Sequence, residues 1–398
     1  MSSSNHLGIR CEQTLPKPLR QARESKRTRV MTPDFWGGKR VFVTGHTGFK
    51  GSWLSLWLQQ LGAEVTGYAL APPSQPNLFG LARVEEAMRA VEGDIGNLEH
   101  LQKVLSNVRP DVVFHLAAQS VVRLSYEDPL GTFKTNVLGS VHLMEAVRRT
   151  PSVRAVVMVT SDKCYRNREW VWGYRESDAL GGRDPYSSSK GCAELAAASY
   201  RHAFFSSATS AEGAGVALAT ARAGNVIGGG DWKRDALVPD TLRALLEGTP
   251  LTLRNPHATR PWQFVLDPLR GYLMLAERLF ENPSYADAWN FGPQGAVRTA
   301  DWIAQRLHTL WGRPYRMQRM NGAQPHEDTL LQLDVSKAAA ALQWEALLPV
   351  EQTLEWIVTW TQAYAAGEDM RRVCSAQIEA FMALEPARGT HGATTVLA

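Results

Sequence analysis

Apolar runs and amphipathic stretches alternate along the first half of the chain with a regular beat. Arg40-Val41-Phe42-Val43-Thr44 is short and β-rich, fitting a strand buried on both faces. Leu54, Leu58 and Leu61 then recur at helical spacing. Glu64 to Leu70 reads as a second strand, and a third ends at Gly93-Asp94. Leu98, Leu101, Val104 and Leu105 mark an amphipathic helix, and Val112 to Leu116 a buried strand. After Pro129 a helix is expected to run through Asn136 to Arg148, its buried face carrying Val137, Val141, Met144 and Val147. Ala155 to Thr160 is one more apolar strand, and Val216 to Thr220 another. Strands alternating with helices in this way predict a Rossmann-type, doubly wound parallel sheet.

Downstream the rhythm loosens. Residues 222–232 read as a polar, flexible loop, followed by short elements: helices over Leu237–Glu247 and Leu269–Leu279, strands at Thr252-Leu253 and Gln263–Val265, and a return to the sheet near Trp289-Asn290-Phe291. Leu354, Ile357 and Val358, then Ile378, Phe381 and Met382, predict two closing helices. The expected division is a disordered basic arm at 1–34, a dinucleotide-binding domain with a catalytic helix at 35–222, a mixed α/β substrate-binding lobe at 223–383 and a disordered tail at 384–398.

Composition narrows the class. At 398 residues the chain holds one large or two moderate domains, and its formal charge of +4 is too slight to imply nucleic-acid binding. No stretch is apolar enough over the length a bilayer requires. The four cysteines, Cys11, Cys164, Cys192 and Cys374, are scattered without paired histidines, so neither a metal site nor a disulfide framework is expected. Reduced thiols fit a cytoplasmic protein.

Two short segments carry the chemistry. Gly45-His46-Thr47-Gly48-Phe49-Lys50-Gly51 stands between a strand and a helix, the context of a dinucleotide fingerprint. Gly45 suits the tight turn, Gly48 the approach of backbone amides to a pyrophosphate, and Gly51 the packing of helix on strand. No acid for a ribose hydroxyl and no Arg for a 2′-phosphate follows the second strand, so this segment leaves NAD and NADP open. Far downstream, Tyr186 and Lys190 lie one helical turn apart behind the helix-start signal Asp184-Pro185. A phenol is a poor base near neutrality, and a neighbouring cation favours its ionised form.

These segments, with Thr160–Tyr165, Tyr186–Glu194, Gly224–Trp232 and Thr259–Gln263, resemble the extended short-chain dehydrogenase/reductase family over roughly Phe35 to Thr361. Ser161-Asp162-Lys163 points to its sugar-nucleotide 4,6-dehydratases. The resemblance implies NAD as cofactor, met by Gly45, Thr47, Gly48, Phe49, Lys50, Gly51, Asp94, Ile95, Leu116, Ala117, Ala118, Gln119, Asn136, Thr160, Tyr186 and Lys190. It implies catalysis by Tyr186 and Lys190 with Ser161 holding the sugar C4 hydroxyl, Asp162 as acid at C6 and Lys163 as base at C5. Gln119, Ser161, Asn225, Arg234, Arg260 and Trp262 would meet the nucleotide sugar, with CDP-glucose the implied substrate. Where the family carries an Arg this chain has Ala236, which puts one nucleotide contact in doubt. A homodimer and a role in deoxysugar and lipopolysaccharide synthesis are also implied. A 4-epimerase, a dehydratase of another nucleoside-diphosphate hexose and a non-catalytic cofactor-binding scaffold are the competing readings.

Overall fold

In the computed structural model, which describes residues 31–205, 215–295, 297–319 and 330–385, seven strands form one parallel sheet. They are β1 (Arg40–Thr44), β2 (Glu64–Ala69), β3 (Arg89–Glu92), β4 (Val112–His115), β5 (Ala155–Val159), β6 (Ala217–Ala223) and β11 (Ala288–Phe291), in the order β11-β6-β5-β4-β1-β2-β3. The chain moves outward from β1 to β3, then crosses back to lay β4 on the other side of β1. That reversal leaves a crevice at the carboxyl ends of β1 and β4, where sheets of this type bind ligands.

The central strands β1, β4 and β5 read as continuous apolar runs because both faces are covered. Val41, Val43, Phe114 and Val157 point into one core, while Phe42, Val113, Val156 and Met158 point into the other. The second core is closed by α2 (Leu98–Val108), α4 (Gly139–Arg148) and α5 (Pro185–Ala203). The first is closed by α1 (Phe49–Gln60) and α7 (Leu266–Glu281), with α9 (Val350–Ala365) and α10 (Met370–Met382) outside them. Helix α1 is buried from Gly51 to Leu58 because α10 lies on its outer side, with Trp57 edge-on to Phe381 at 5.8 Å. A helix with no polar face is one covered all round.

Three expectations need correcting. The helix after Pro129 is interrupted: α3 (Pro129–Phe133) runs into a π-helical segment, Lys134–Leu138, before α4. The wider turn shifts the face, so Asn136 is buried while Val137 is only half-buried. Strand β6 extends to Ala223, which places Arg222 in the sheet, buried, and not in a flexible loop. The next residues form β7 (Val226–Ile227), paired in parallel with β10 (Gln263–Phe264). Residues 31–34, assigned by sequence to the arm, are packed: Met31 is buried, and the Thr32 amide donates to Glu277 at 3.1 and 3.2 Å. The rest of the arm and the tail from Pro386 lie outside the described residues.

The downstream region does not stand apart from the sheet. Helix α7 packs under β5 and β6, and β11 pairs with β6 from Ala288↔Thr220 to Phe291↔Ala223. The smaller layer around it contains α6 (Leu237–Glu247), β8 (Leu251–Leu253), β9 (Thr259–Arg260), β12 (Arg298–Thr299), α8 (Ala300–Trp311) and β13 (Met317–Arg319). Its own core joins Ile227, Leu242, Leu245, Ile303, Leu307, Leu354 and Ile357.

Candidate active site

The glycine turn is built for close backbone approach. Gly45 has φ +75, and a β-carbon there would stand 2.6 Å from the Ala117 amide nitrogen. One on Gly51 would stand 2.1 Å from the Gly45 carbonyl. Gly48 caps α1 in an extended conformation, so the first-turn amides of Phe49, Lys50 and Gly51 have no helical acceptor and face the crevice with the helix's positive end. The arrangement fits a dinucleotide pyrophosphate. Thr47 Oγ1 donates to the Leu70 carbonyl at 2.9 Å, tying the turn to the end of β2. No acid or Arg lies at that end, as the sequence indicates.

The other expected cofactor contacts ring the same crevice. Asp94 is exposed, its Oδ1 accepting from the Gly96 amide at 2.7 Å, which closes the turn after β3. Ile95 is buried against Gly139. Leu116, Ala117 and Ala118 continue β4 toward the glycine turn. Asn136 locks this edge: its Oδ1 accepts from the Gln119 amide at 2.9 Å, and its Nδ2 donates to the Gln119 carbonyl at 3.0 Å and to Ser189 Oγ at 2.9 Å. The π-helical turn is what carries Asn136 inward. Gln119 directs its own side chain at Thr132 Oγ1 and the Val121 amide, so the substrate contact expected of it has a competing partner.

Opposite stands α5. Asp184 caps it through the Ser187 amide at 2.9 Å, with Pro185 at its first position, and Tyr186 and Lys190 are both buried on its inner face. Ser161 is the hydrogen-bonding side chain that faces the Tyr186 phenol. Burial pushes the phenol well above its usual range; the Ser161 bond opposes this, while Asp162 and Asp184 add to it. Lys190 is itself lowered to about 8 by burial, against the pull of Glu194.

Ser161, Asp162 and Lys163 form a tight turn at the carboxyl end of β5. Ser161 Oγ donates to Asp162 Oδ1 at 3.0 Å and accepts from the Lys163 amide at 3.2 Å. Asp162 is buried at 4% exposure, and Lys163 is half-buried. Lys50 joins the group from α1: burial, then Lys190 and Lys233, lower its ammonium to about 8, and Asp162 opposes them.

The substrate-side residues sit at the mouth of the downstream layer. Asn225 has φ +49 and precedes β7, while Arg260 is buried in β9, three residues before the β10 strand that pairs with β7. Arg234 is exposed in the loop between β7 and α6, and Ala236 caps α6 without a side-chain bond. Trp262 is half-buried, packed on the downstream core with Nε1 donating to the Arg298 carbonyl at 3.2 Å, which favours packing over base stacking. No cluster of three metal-ligating side chains occurs among the described residues.

Sequence reading assigned no role to Glu194 or Arg222. Both are buried, and they form an ion pair at 2.7 Å directly under the reaction turn. The signal was present: Glu194 follows Lys190 by four residues, on the face that carries both Lys190 and Tyr186.

Residues 42–357 match the family model described as GDP-mannose 4,6 dehydratase. The CDP-glucose 4,6-dehydratase of Salmonella typhimurium is 50% identical over 355 residues, covering 89% of this chain and 99% of that protein. A dTDP-glucose 4,6-dehydratase of Xanthomonas campestris pv. campestris is 25% identical, covering 82% and 95% respectively. Among solved structures, the Streptomyces venezuelae dTDP-glucose 4,6-dehydratase DesIV with NAD and TYD bound superposes with a TM-score of 0.70 at 24% identity, covering 83% of this chain and 99% of that one. MoeE5 in complex with UDP-glucose and NAD gives 0.68 at 25%, covering 81% and 99%.

Proposed function

The chain belongs to the GDP-mannose 4,6 dehydratase family, and on that premise we propose that it converts CDP-glucose to CDP-4-dehydro-6-deoxyglucose and water while retaining NAD. Bound NAD supplies a hydride acceptor for C4 and the hydride donor for C6. The glycine turn, the first-turn amides of α1 and the Ala117–Gln119 edge would hold it, with Lys190 at the nicotinamide ribose.

The chain's own groups exchange every proton with the sugar. Tyr186 takes the proton of the C4 hydroxyl, which Ser161 orients through the same hydrogen-bonded cluster. With C4 a ketone, the C5 hydrogen is acidified. Lys163 removes it, and Asp162 gives a proton to the C6 oxygen, which leaves as water. As C6 is reduced, Lys163 returns a proton to C5, Tyr186 releases to solvent the proton it took, and solvent returns one to Asp162. The observation that carries this reading is a buried acid, Asp162, bonded to Ser161 on a turn that faces Tyr186. A 4-epimerase inverts C4 and has no use for an acid at C6. Asn225 and Arg260 would meet the diphosphate, since a guanidinium matches phosphate oxygens in pairs.

The test is a mass spectrum after incubation with CDP-, UDP-, dTDP- and GDP-hexoses. Loss of water from the CDP sugar is expected; no dehydration of any of them would reject the reading. We further propose a homodimer and a place in deoxysugar supply for surface polysaccharide. Leu130, Leu138 and Leu195 are 79%, 53% and 60% exposed on the helices that flank the site, an apolar surface of the kind partners cover. Light scattering reporting a monomer would reject the dimer.

A further inference from the structure

Directly below the reaction turn lies a buried polar hub that catalysis does not touch. Glu194 accepts from Thr160 Oγ1 at 2.5 Å, from Thr220 Oγ1 at 2.7 Å and from Arg222 Nη2 at 2.7 Å. Arg222 also donates through Nη1 to the Tyr165 hydroxyl at 2.7 Å, and Tyr165 donates in turn to Asn290 Oδ1 at 2.7 Å. Thr160 immediately precedes Ser161-Asp162-Lys163, and Tyr165 follows it by two residues. Both flanks of the turn are therefore fastened to one ion pair, and one member of that pair stands a single helical turn beyond Lys190.

We propose that Glu194, with Arg222, is a positioning residue that sets the register between the two elements carrying the reaction, helix α5 and the 161–163 turn. The inference rests on the dehydratase reading. An ion pair this deeply buried is a poor source of stability, because desolvation offsets its attraction and apolar packing serves as well. What it supplies is a fixed geometry, with each carboxylate oxygen held by hydroxyls or a guanidinium from β5 and β6. The two halves of the chemistry depend on that geometry unequally. Oxidation at C4 uses only Tyr186 and Ser161, which face each other. Loss of water needs Asp162 and Lys163 in place on a sugar held by Tyr186, so it needs the two elements in register. Loosening the hub should slow elimination more than oxidation.

Glu194→Gln replaces one of the two oxygens that between them accept from Thr160, Thr220 and Arg222 with an NH2 group, so at least one donor loses its acceptor. Thr220→Val removes one donor, and Thr220→Ser keeps it. Each variant is measured for melting temperature, retained NAD and the sugars formed from CDP-glucose. Glu194→Gln is expected to slow water loss about tenfold or more, or ~1.4 kcal/mol of barrier. A sugar oxidised at C4 but still carrying its C6 oxygen should then become detectable. Thr220→Val should move the same way by less, and Thr220→Ser should match the wild type. If Glu194→Gln does not fold, the Thr220 pair decides. Folded, NAD-loaded variants that slow both half-reactions equally, or that keep the wild-type rate, overturn the proposal. A wild type that forms no ketosugar overturns the functional reading and this inference with it, whereas a dehydrating wild type with unpartitioned variants overturns this inference alone.

Discussion

The carboxylate of Asp162 occupies the space a side chain on Gly224 would need: a β-carbon there would stand 1.8 Å from Oδ2. The glycine cannot retreat easily, because its carbonyl accepts from Gln263 Nε2 at 2.9 Å at the junction of β7 and β10. Gly224→Ala should therefore push the acid off its mark without touching the cofactor turn. A displacement near an ångström costs on the order of a hundredfold in a positioned reaction. The expected result is dehydration slowed by about that factor with retained NAD unchanged, read by steady-state rates and cofactor content of the purified protein.

Asp162→Asn and Tyr186→Phe should separate the two proton tasks. The asparagine keeps the shape but carries no acidic proton, so C4 should oxidise while water loss falls by roughly a hundredfold to ten-thousandfold. The phenylalanine removes the group that takes the C4 proton, so both products should fall together. Mass spectra of the sugar pool distinguish the outcomes: an oxidised, undehydrated sugar with the first variant and unchanged substrate with the second. The same pool from both would refute the assignment.

Stability should carry a pH signature from Glu277. This carboxyl accepts from the Thr32 amide and from Trp36 Nε1 at 2.9 Å, and burial raises it from 4.5 to about 7 despite those bonds and Arg278. Its folded form binds a proton more tightly than its unfolded form. The stabilisation is thus fully present below about pH 4.5 and is lost as pH rises through about 7. Asp267, raised to about 7 by burial, acts in the same sense. Glu277→Gln should flatten the fall in melting temperature between those pH values. An unchanged slope would show that Glu277 does not titrate there.

Much of this was legible in the residues. Full burial on both faces makes the strands of a parallel sheet continuous apolar runs, so β1, β4, β5 and β6 stood out. Local spacing placed Tyr186 and Lys190 on one face of α5. What was hidden depends on contacts distant in sequence. Asn136 turns inward only because a π-helical segment resets the helix phase. Arg222 looked like a loop residue because a charge beside Gly224 and Asn225 reads as surface, until Glu194 in another element neutralises it. The spacing of Leu54, Leu58 and Leu61 showed α1 as a helix, but not that α10, more than three hundred residues later, covers its outer side.

Strand β11 has a consequence for anyone wishing to recombine these enzymes. The sheet edge beside β6 is completed by a strand that the chain supplies only after it has built α6, β8 and β9, half of the downstream layer. Cutting at the apparent boundary near 222 would strip that edge and leave β6, buried along its length in the intact chain, open to pairing with neighbouring molecules. Specificity modules exchanged between relatives would have to travel in two pieces, with β11 and α7 left at home.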